Sequence, residues 1–284
     1  MKNPGELIRD RYKILSLIAK SKKGHIYKVL DQAENRDVAL KMLEDESTSD
    51  SDVVKRVIKE GEVLAQLRHP AIVQFYSLEM EGRTPFLVME YIEGRTMKDL
   101  KEELRKDLQR FFNLFLTLLE GVEACHQAGV FHRNLTPENL LITKDGQLKI
   151  IDFRFAKTRE KLTRQGEFMG FSGYTAPEQY QGQKITEAAD IYSLGVILWE
   201  FLTGELPYPM EVSNKPVDLM TLLSMANLPL PIEKFDVFPR FAGLRNLMEQ
   251  ILDKDAKFRP SLQEIISTLK REMPDILATA PNPA

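Results

Sequence analysis

The sequence predicts an α+β fold in two unequal parts: a small strand-rich part carrying one helix, then a larger, mainly helical part. Three observations carry this. Up to about Gly94 the apolar residues fall in short, loosely alternating runs broken by one stretch of helical spacing. From Thr96 onward longer apolar stretches recur at the helical period. Within that second part, residues 140–151 form two short apolar runs around Lys144-Asp145-Gly146. Asp-Gly between such runs is a hairpin signal, because both residues accept the left-handed turn conformation.

The elements follow in order. Residues 12–18, 24–30 and 37–42 read as strands, the last two separated by a polar turn over 31–36. Residues 44–52 are acidic and Ser-rich, a loop. Val53, Val57, Val63, Leu64 and Leu67 then sit at near-helical spacing, with His69-Pro70 as the stop, since proline disfavours helical backbone in the residue before it. Apolar segments 72–78 and 85–92 are joined by Glu81-Gly82-Arg83. In the second part, helices are expected over 108–128, 190–202 (ended by Gly204 and Pro207), 241–252 and 261–271. The expected organisation is a lead over 1–11, one domain over 12–272 with lobes of about 12–92 and 93–272, and a Pro- and Ala-containing tail or linker over 273–284.

Composition narrows the function classes. The 284 residues are 43% hydrophobic and 29% charged, enough to fill a sizeable core. A net charge of −3 gives no electrostatic reason for nucleic acid or an anionic membrane as the main partner. The chain starts without the apolar run of a secretory signal, and no stretch reaches the roughly 18 to 20 apolar residues of a membrane span. The single Cys125 has no partner for an internal disulfide, which fits a reducing, cytoplasmic setting, and its place in an apolar helical pattern marks it as a buried small residue.

The motif that carries chemistry is His132-Arg133-Asn134-Leu135-Thr136-Pro137-Glu138-Asn139, followed 13 residues after Asn139 by Asp152-Phe153-Arg154. Around it, in order, stand Val38-Ala39-Leu40-Lys41, Glu60 nine residues before His69-Pro70, Met89-Glu90-Tyr91-Ile92-Glu93-Gly94, Ala176-Pro177-Glu178, Asp190-Ile191-Tyr192-Ser193-Leu194-Gly195, and Lys257-Phe258-Arg259-Pro260. Singly, a Lys or Glu is an ordinary solvated charge. As an ordered series from about Tyr12 to Arg271 they resemble the protein kinase superfamily, closest in style to the eukaryotic-like Ser/Thr kinases of bacteria, in a degenerate, pseudokinase-like form.

The resemblance implies a two-lobed protein-kinase fold, with a small antiparallel β lobe carrying one helix and a larger, mainly helical lobe, and assigns expected roles. Lys41 would hold ATP phosphates and pair with Glu60. Met89 stands at the gatekeeper position. Backbone groups at Glu90 and Ile92 would face an adenine, sandwiched by Ile26, Ala39 and Leu141. Asn139 and Asp152 match the residues that hold Mg2+. Glu178 would pair with Arg259, Asp190 would anchor the 132–139 loop, and Leu64, Phe75, His132 and Phe153 fit an apolar column linking the lobes. Arg133 is the residue that a phosphate on Thr158 or Thr163 would meet.

The departures fall on working parts. Where the family has a glycine-rich phosphate loop, the chain reads Ala19-Lys20-Ser21-Lys22-Lys23-Gly24, so only Gly24 survives. Asn134 replaces the catalytic Asp, and an amide carbonyl cannot usefully take a proton. Thr136 replaces a Lys, removing a cation aimed at the transferring phosphate. Phe171, with Ser172 beside it, stands where Ser/Thr kinases carry a Thr that bonds to those two residues, and Arg154 replaces the metal motif's Gly. The expectation is a domain that binds ATP and Mg2+, the former weakly, and acts as a scaffold or allosteric signalling module through protein partners. The alternative is a weakly active Ser/Thr protein kinase.

Overall fold

The β lobe is one six-stranded sheet in the order β1-β2-β3-β4-β6-β5, every neighbouring pair antiparallel. Its strands are β1 (Leu7–Ile8), β2 (Tyr12–Ser21), β3 (Gly24–Asp31), β4 (Arg36–Leu43), β5 (Phe75–Glu81) and β6 (Thr84–Glu90). The computed structural model describes residues 2–21, 24–43, 51–153, 156–158, 173–208, 211–212, 215–216, 228–236 and 239–278. Alternation in β3 buries His25, Tyr27, Val29 and Asp31 and leaves the intervening side chains half-buried. The buried face joins Ile8, Tyr12, Ile14, Val38, Leu40, Met42, Phe86 and Val88 in a core of its own. The irregular alternation of residues 12–18 has a cause: β2 shifts register against β3 twice, between Ile14 and Ser16 and between Leu17 and Ala19.

Helix α1 (Ser51–Leu64) packs on the sheet and ends three residues before the 67 expected from periodicity. Gln66 and Leu67 donate to Val63 and Leu64, so the chain tightens to three-residue bonds while still burying Leu67. The segment expected as a strand from residue 72 starts later, at Phe75, because residues 71–73 are engaged elsewhere. Val73 N–H donates to the Ile150 carbonyl and Ile150 N–H to the Ala71 carbonyl, tying this segment to the helical lobe.

That lobe opens with β7 (Gly94–Thr96), α2 (Lys101–Lys106) and α3 (Leu108–Gln127). Strand β8 (Val130–Phe131) leads into the 132–139 loop. Strands β9 (Leu140–Thr143) and β10 (Leu148–Ile150) form the expected hairpin, completed into three strands by β7, and β11 (Lys157–Thr158) pairs back onto β8. Then come α4 (Pro177–Tyr180), α5 (Ala188–Thr203), the short pair β12 (Glu211–Val212) and β13 (Lys215–Pro216), α6 (Glu233–Asp236), α7 (Arg245–Ile251) and α8 (Leu262–Ala278). Helix α5 is buried along its whole length from Ala188 to Leu202, so it serves as the lobe's central post. Phe201 on it stacks on Phe111 of α3, ring centroids 4.9 Å apart.

Residues 273–284 are expected from the sequence as a tail or linker; α8 instead continues through Pro274 to Ala278. Proline removes one backbone donor from a helix. Burial of Ile276, with Met273 and Leu277 packed on the core, offsets that loss. Residues 279–284 lie outside the described residues. Among the described residues no helix is long and apolar enough to cross a membrane.

Candidate functional site

The 132–139 loop is built from Asp190 outward. This carboxylate, in the first turn of α5, is fully buried. Its Oδ1 accepts from Arg133 N–H at 2.7 Å, and its Oδ2 accepts from His132 N–H at 2.9 Å and lies 2.9 Å from His126 Nε2. Burial alone would raise its pKa, but these donors outweigh burial and hold it below the usual carboxylate range. Arg133 adopts φ 65°, a left-handed conformation unusual for a residue with a Cβ, and the two bonds to Asp190 hold the loop there. His132 is also buried. Its Nε2 lies 3.2 Å from the Ile151 carbonyl and its Nδ1 3.3 Å from Asn134 N–H. That pattern assigns the neutral tautomer with the proton on Nε2, and burial lowers the imidazole pKa to match.

Asn134 is therefore presented by a rigid loop. Its N–H meets His132, and its carbonyl accepts from Asn139 Nδ2 at 2.8 Å. No described residue hydrogen-bonds its half-buried side chain. Two residues on, Thr136 is 6% exposed and its Oγ1 has no hydrogen-bond partner among the described residues. A buried hydroxyl left unbonded is costly, so this one is a place where a water or ligand oxygen would be accepted.

The second cluster joins the lobes. Lys41 Nζ on β4 lies 2.7 and 2.9 Å from the two carboxylate oxygens of Glu60 on α1, and 2.9 Å from Asp152 Oδ1. The Glu60 side chain is only 2% exposed and the Asp152 side chain 11%. The three charges meet at the junction of the lobes, so burial of the Glu60 and Asp152 carboxylates is offset by the shared ammonium of Lys41. Ile151 N–H donates to the Asn139 carbonyl at 2.9 Å, which sets Asn139 beside Asp152. Asp152 has φ 64°, a second strained backbone at this site. Phe153 is fully buried and meets His132 edge-on at 4.7 Å; Leu64 and Phe153 share the main core, with Phe75 packed against it.

Between the lobes, Ala39 pairs with Met89 and Ile26 with Lys41 across the sheet, and Leu141 lies half-buried on β9. Glu90 N–H is taken by the Gln74 carbonyl, and Ile92 N–H has no partner among the described residues. Among the backbone groups at Glu90 and Ile92, the Glu90 donor is thus engaged within the fold. The side chain of Glu90 accepts from Lys149 Nζ at 2.9 Å and Glu93 from Lys144 at 2.5 Å, so the hairpin β9–β10 braces this connection.

Gly24, the one glycine of residues 19–24, is required by the packing of the sheet. A Cβ there would lie 2.4 Å from the Met42 carbonyl oxygen in the neighbouring strand. Lys20 lies on β2. Lys22, Lys23, Arg154, Thr163, Phe171 and Ser172 lie outside the described residues, and Thr158 is described through its backbone pairing with Val130.

The segment 173–180 is held from below. Arg259 donates to Glu178 through Nη1 and Nη2, at 2.7 and 2.9 Å, both side chains buried. Ser193 Oγ donates to the Tyr174 carbonyl at 2.7 Å, and Tyr174 Oη donates to Glu200 Oε2 at 2.5 Å. Glu200 also holds Lys101 of α2 at 2.7 Å. Gln179 Nε2 donates to the Arg133 carbonyl at 3.0 Å while its Oε1 accepts from Ala176 N–H at 3.2 Å. Sequence reasoning missed His126, Lys101, Tyr174, Glu200 and Gln179. Their types are usually solvated, and their partners lie up to 103 residues away, so no local pattern flags them.

A curled antiparallel lobe joined to a helical lobe, with a pinned loop and a Lys-Glu-Asp cluster at the junction, defines a protein-kinase-like class. Residues 12–269 match the family model of the protein kinase domain, and the chain belongs to that family. It is 32% identical over 220 residues to a probable serine/threonine-protein kinase of Clostridium perfringens, covering 75% of this chain and 32% of that relative. It is 35% identical over 212 residues to the serine/threonine-protein kinase PknA of Mycobacterium tuberculosis, covering 72% and 49%. With PknL of the same organism it shares 34% over 254 residues, covering 87% and 64%. The chain thus spans less than two thirds of the length of these relatives.

Proposed function

We propose that this chain is a protein-kinase domain that binds ATP and Mg2+ but is impaired in phosphoryl transfer, and that it works through contacts with other proteins. The observation that carries the reading is Asn134: a residue without a usable base, held rigidly where the family's loop presents its catalytic Asp. Losing a general base costs roughly 10² to 10⁴ in rate. Thr136, the neighbouring departure, supplies a buried hydroxyl in place of a cation.

The residues fit the nucleotide in part. Lys41 would contact phosphate oxygens, and Asp152 with Asn139 Oδ1 would hold the metal; both donors are oxygens, which suits Mg2+. Ala39, Ile26, Leu141 and Met89 would line the adenine slot, with the Glu90 carbonyl and Ile92 N–H at its edge. When bound, ATP supplies the phosphoryl group and Mg2+ neutralises its charge. The residues at 19–23 supply no glycine for close approach of backbone to phosphate, so affinity is reduced.

A second reading, a weakly active Ser/Thr kinase, is favoured by the same Lys41-Glu60-Asp152 cluster, since an abandoned site has no need of a buried three-way ion arrangement. Binding is tested by the melting temperature with ATP, with and without Mg2+, for the wild type and Lys41→Met. The proposal expects a rise that needs Lys41 and grows with Mg2+. No shift with either ligand, in a folded protein, would make the domain a pure interaction module.

A further inference from the structure

We propose that Gln179 is a positioning residue: it fixes the peptide plane between Arg133 and Asn134 and so couples segment 173–180 to the 132–139 loop. The proposal deepens the functional reading, because it rests on residue 134 being the one that faces an acceptor hydroxyl.

The four backbone polar groups flanking this peptide are each taken by a different side chain. Arg133 N–H goes to Asp190, Arg133 C=O to Gln179, Asn134 N–H to His132 and Asn134 C=O to Asn139. Three of these partners belong to the loop or to the buried post α5. Gln179 is the one contributed by segment 173–180.

Glutamine on a short helix is ordinarily solvated, and this one is half-buried. Its two bonds nevertheless run in opposite senses, and that fixes the residue type. Ala176 N–H can only donate, so it must meet Oε1; the Arg133 carbonyl can only accept, so it must meet Nε2. The amide orientation is thereby unambiguous. Glutamate cannot donate when ionised, and leucine can do neither. The bond also bears on a strained unit, since Arg133 holds φ 65°. Asp190 grips that residue by its N–H and Gln179 by its carbonyl, so the strain is fixed from both ends.

The coupling has a direction. Segment 173–180 is anchored through Glu178 to Arg259 and through the Tyr174 carbonyl to Ser193. Gln179 sits between those anchors and the loop. A partner that shifts segment 173–180 pulls on the Arg133 carbonyl and turns the peptide that orients Asn134.

The test uses the whole chain carrying Gln179→Leu or Gln179→Glu, read by hydrogen–deuterium exchange over residues 132–136 without nucleotide, each against wild type at the same pH. Gln179→Leu is expected to raise exchange there about fivefold at every pH, the equivalent of one hydrogen bond. Gln179→Glu is expected to match it near pH 8, where a carboxylate faces a carbonyl, and to return toward wild type as pH falls through the carboxyl range and the protonated acid can donate. A filling or merely structural role would not reverse with pH. Wild-type exchange in Gln179→Leu, or no pH reversal in Gln179→Glu, overturns the proposal. In the Asn134→Asp/Thr136→Lys background, Gln179→Leu should lower kcat about tenfold at unchanged KM. Altered exchange with unchanged kcat would refute the reading of residue 134 and leave the backbone tie standing.

Discussion

The side-chain amide of Asn139 donates to the Asn134 carbonyl at 2.8 Å. Asn139 therefore reaches the site with one half of its amide committed to the loop and its Oδ1 left for other company. The bond closes the 132–139 loop on itself and holds its shape without using the side chain at position 134.

Replacing Asn139 by Leu should cost about 1 kcal/mol, the net worth of one hydrogen bond. Asn139→Asp should cost more near neutral pH, because it sets a carboxylate against a carbonyl. Urea unfolding followed by Trp199, the single tryptophan and fully buried on α5, reads both changes.

The Glu178–Arg259 pair predicts a larger effect. Both side chains are buried, at 2% and 0% exposed, and removing either partner strands the other. Arg259→Ala and Glu178→Ala are each expected to cost about 3 to 5 kcal/mol, and the double variant less than the sum. Equal additivity in a double-mutant cycle would show that the two do not act as a pair.

His132 predicts a pH dependence. Its folded pKa is lowered by burial, so below about pH 6.5 the unfolded chain takes up a proton that the folded chain refuses. Stability should then fall as pH drops from about 6.5 toward the folded pKa, by at most about 1.4 kcal/mol per pH unit. The depressed carboxyl of Asp190 acts lower, contributing stability that is lost only below the unfolded carboxylate range near 3.9. His132→Phe keeps the edge contact with Phe153 and should flatten the slope above pH 5 in stability-versus-pH curves.

Gly24→Ala should destabilise the β lobe by about 1 to 3 kcal/mol, since the added carbon meets backbone oxygen that cannot swing aside. A loss of nucleotide affinity with unchanged stability would instead return this glycine to the phosphate role that its sequence position suggests.

What the sequence made legible were residues whose identity and spacing are fixed by chemistry at close quarters. Lys41 and Glu60, Glu178 and Arg259, and Asp190 were each placed from a motif, and each lies in the contact that the motif implies. What stayed hidden were ties made by residue types that are normally solvated. Gln179, Lys101 and Glu200 carry no local signal, because their partners come together only once α2, α4, α5 and the 132–139 loop have packed. Helix ends escape local reading for a related reason. Pro274 reads as a stop by propensity, and the burial of Ile276 that overrides it is a property of the packed lobe.

The central claim, a sound kinase frame whose transfer chemistry is impaired, is tested most directly by single-turnover phosphate transfer from ATP–Mg to a generic basic protein. Wild type is compared with Asn134→Asp/Thr136→Lys/Phe171→Thr. The prediction is a wild-type rate at least roughly 10²-fold below the triple variant. Wild-type transfer at ordinary kinase rates, roughly 1 to 100 s⁻¹, abolished by Asp152→Ala, would contradict it.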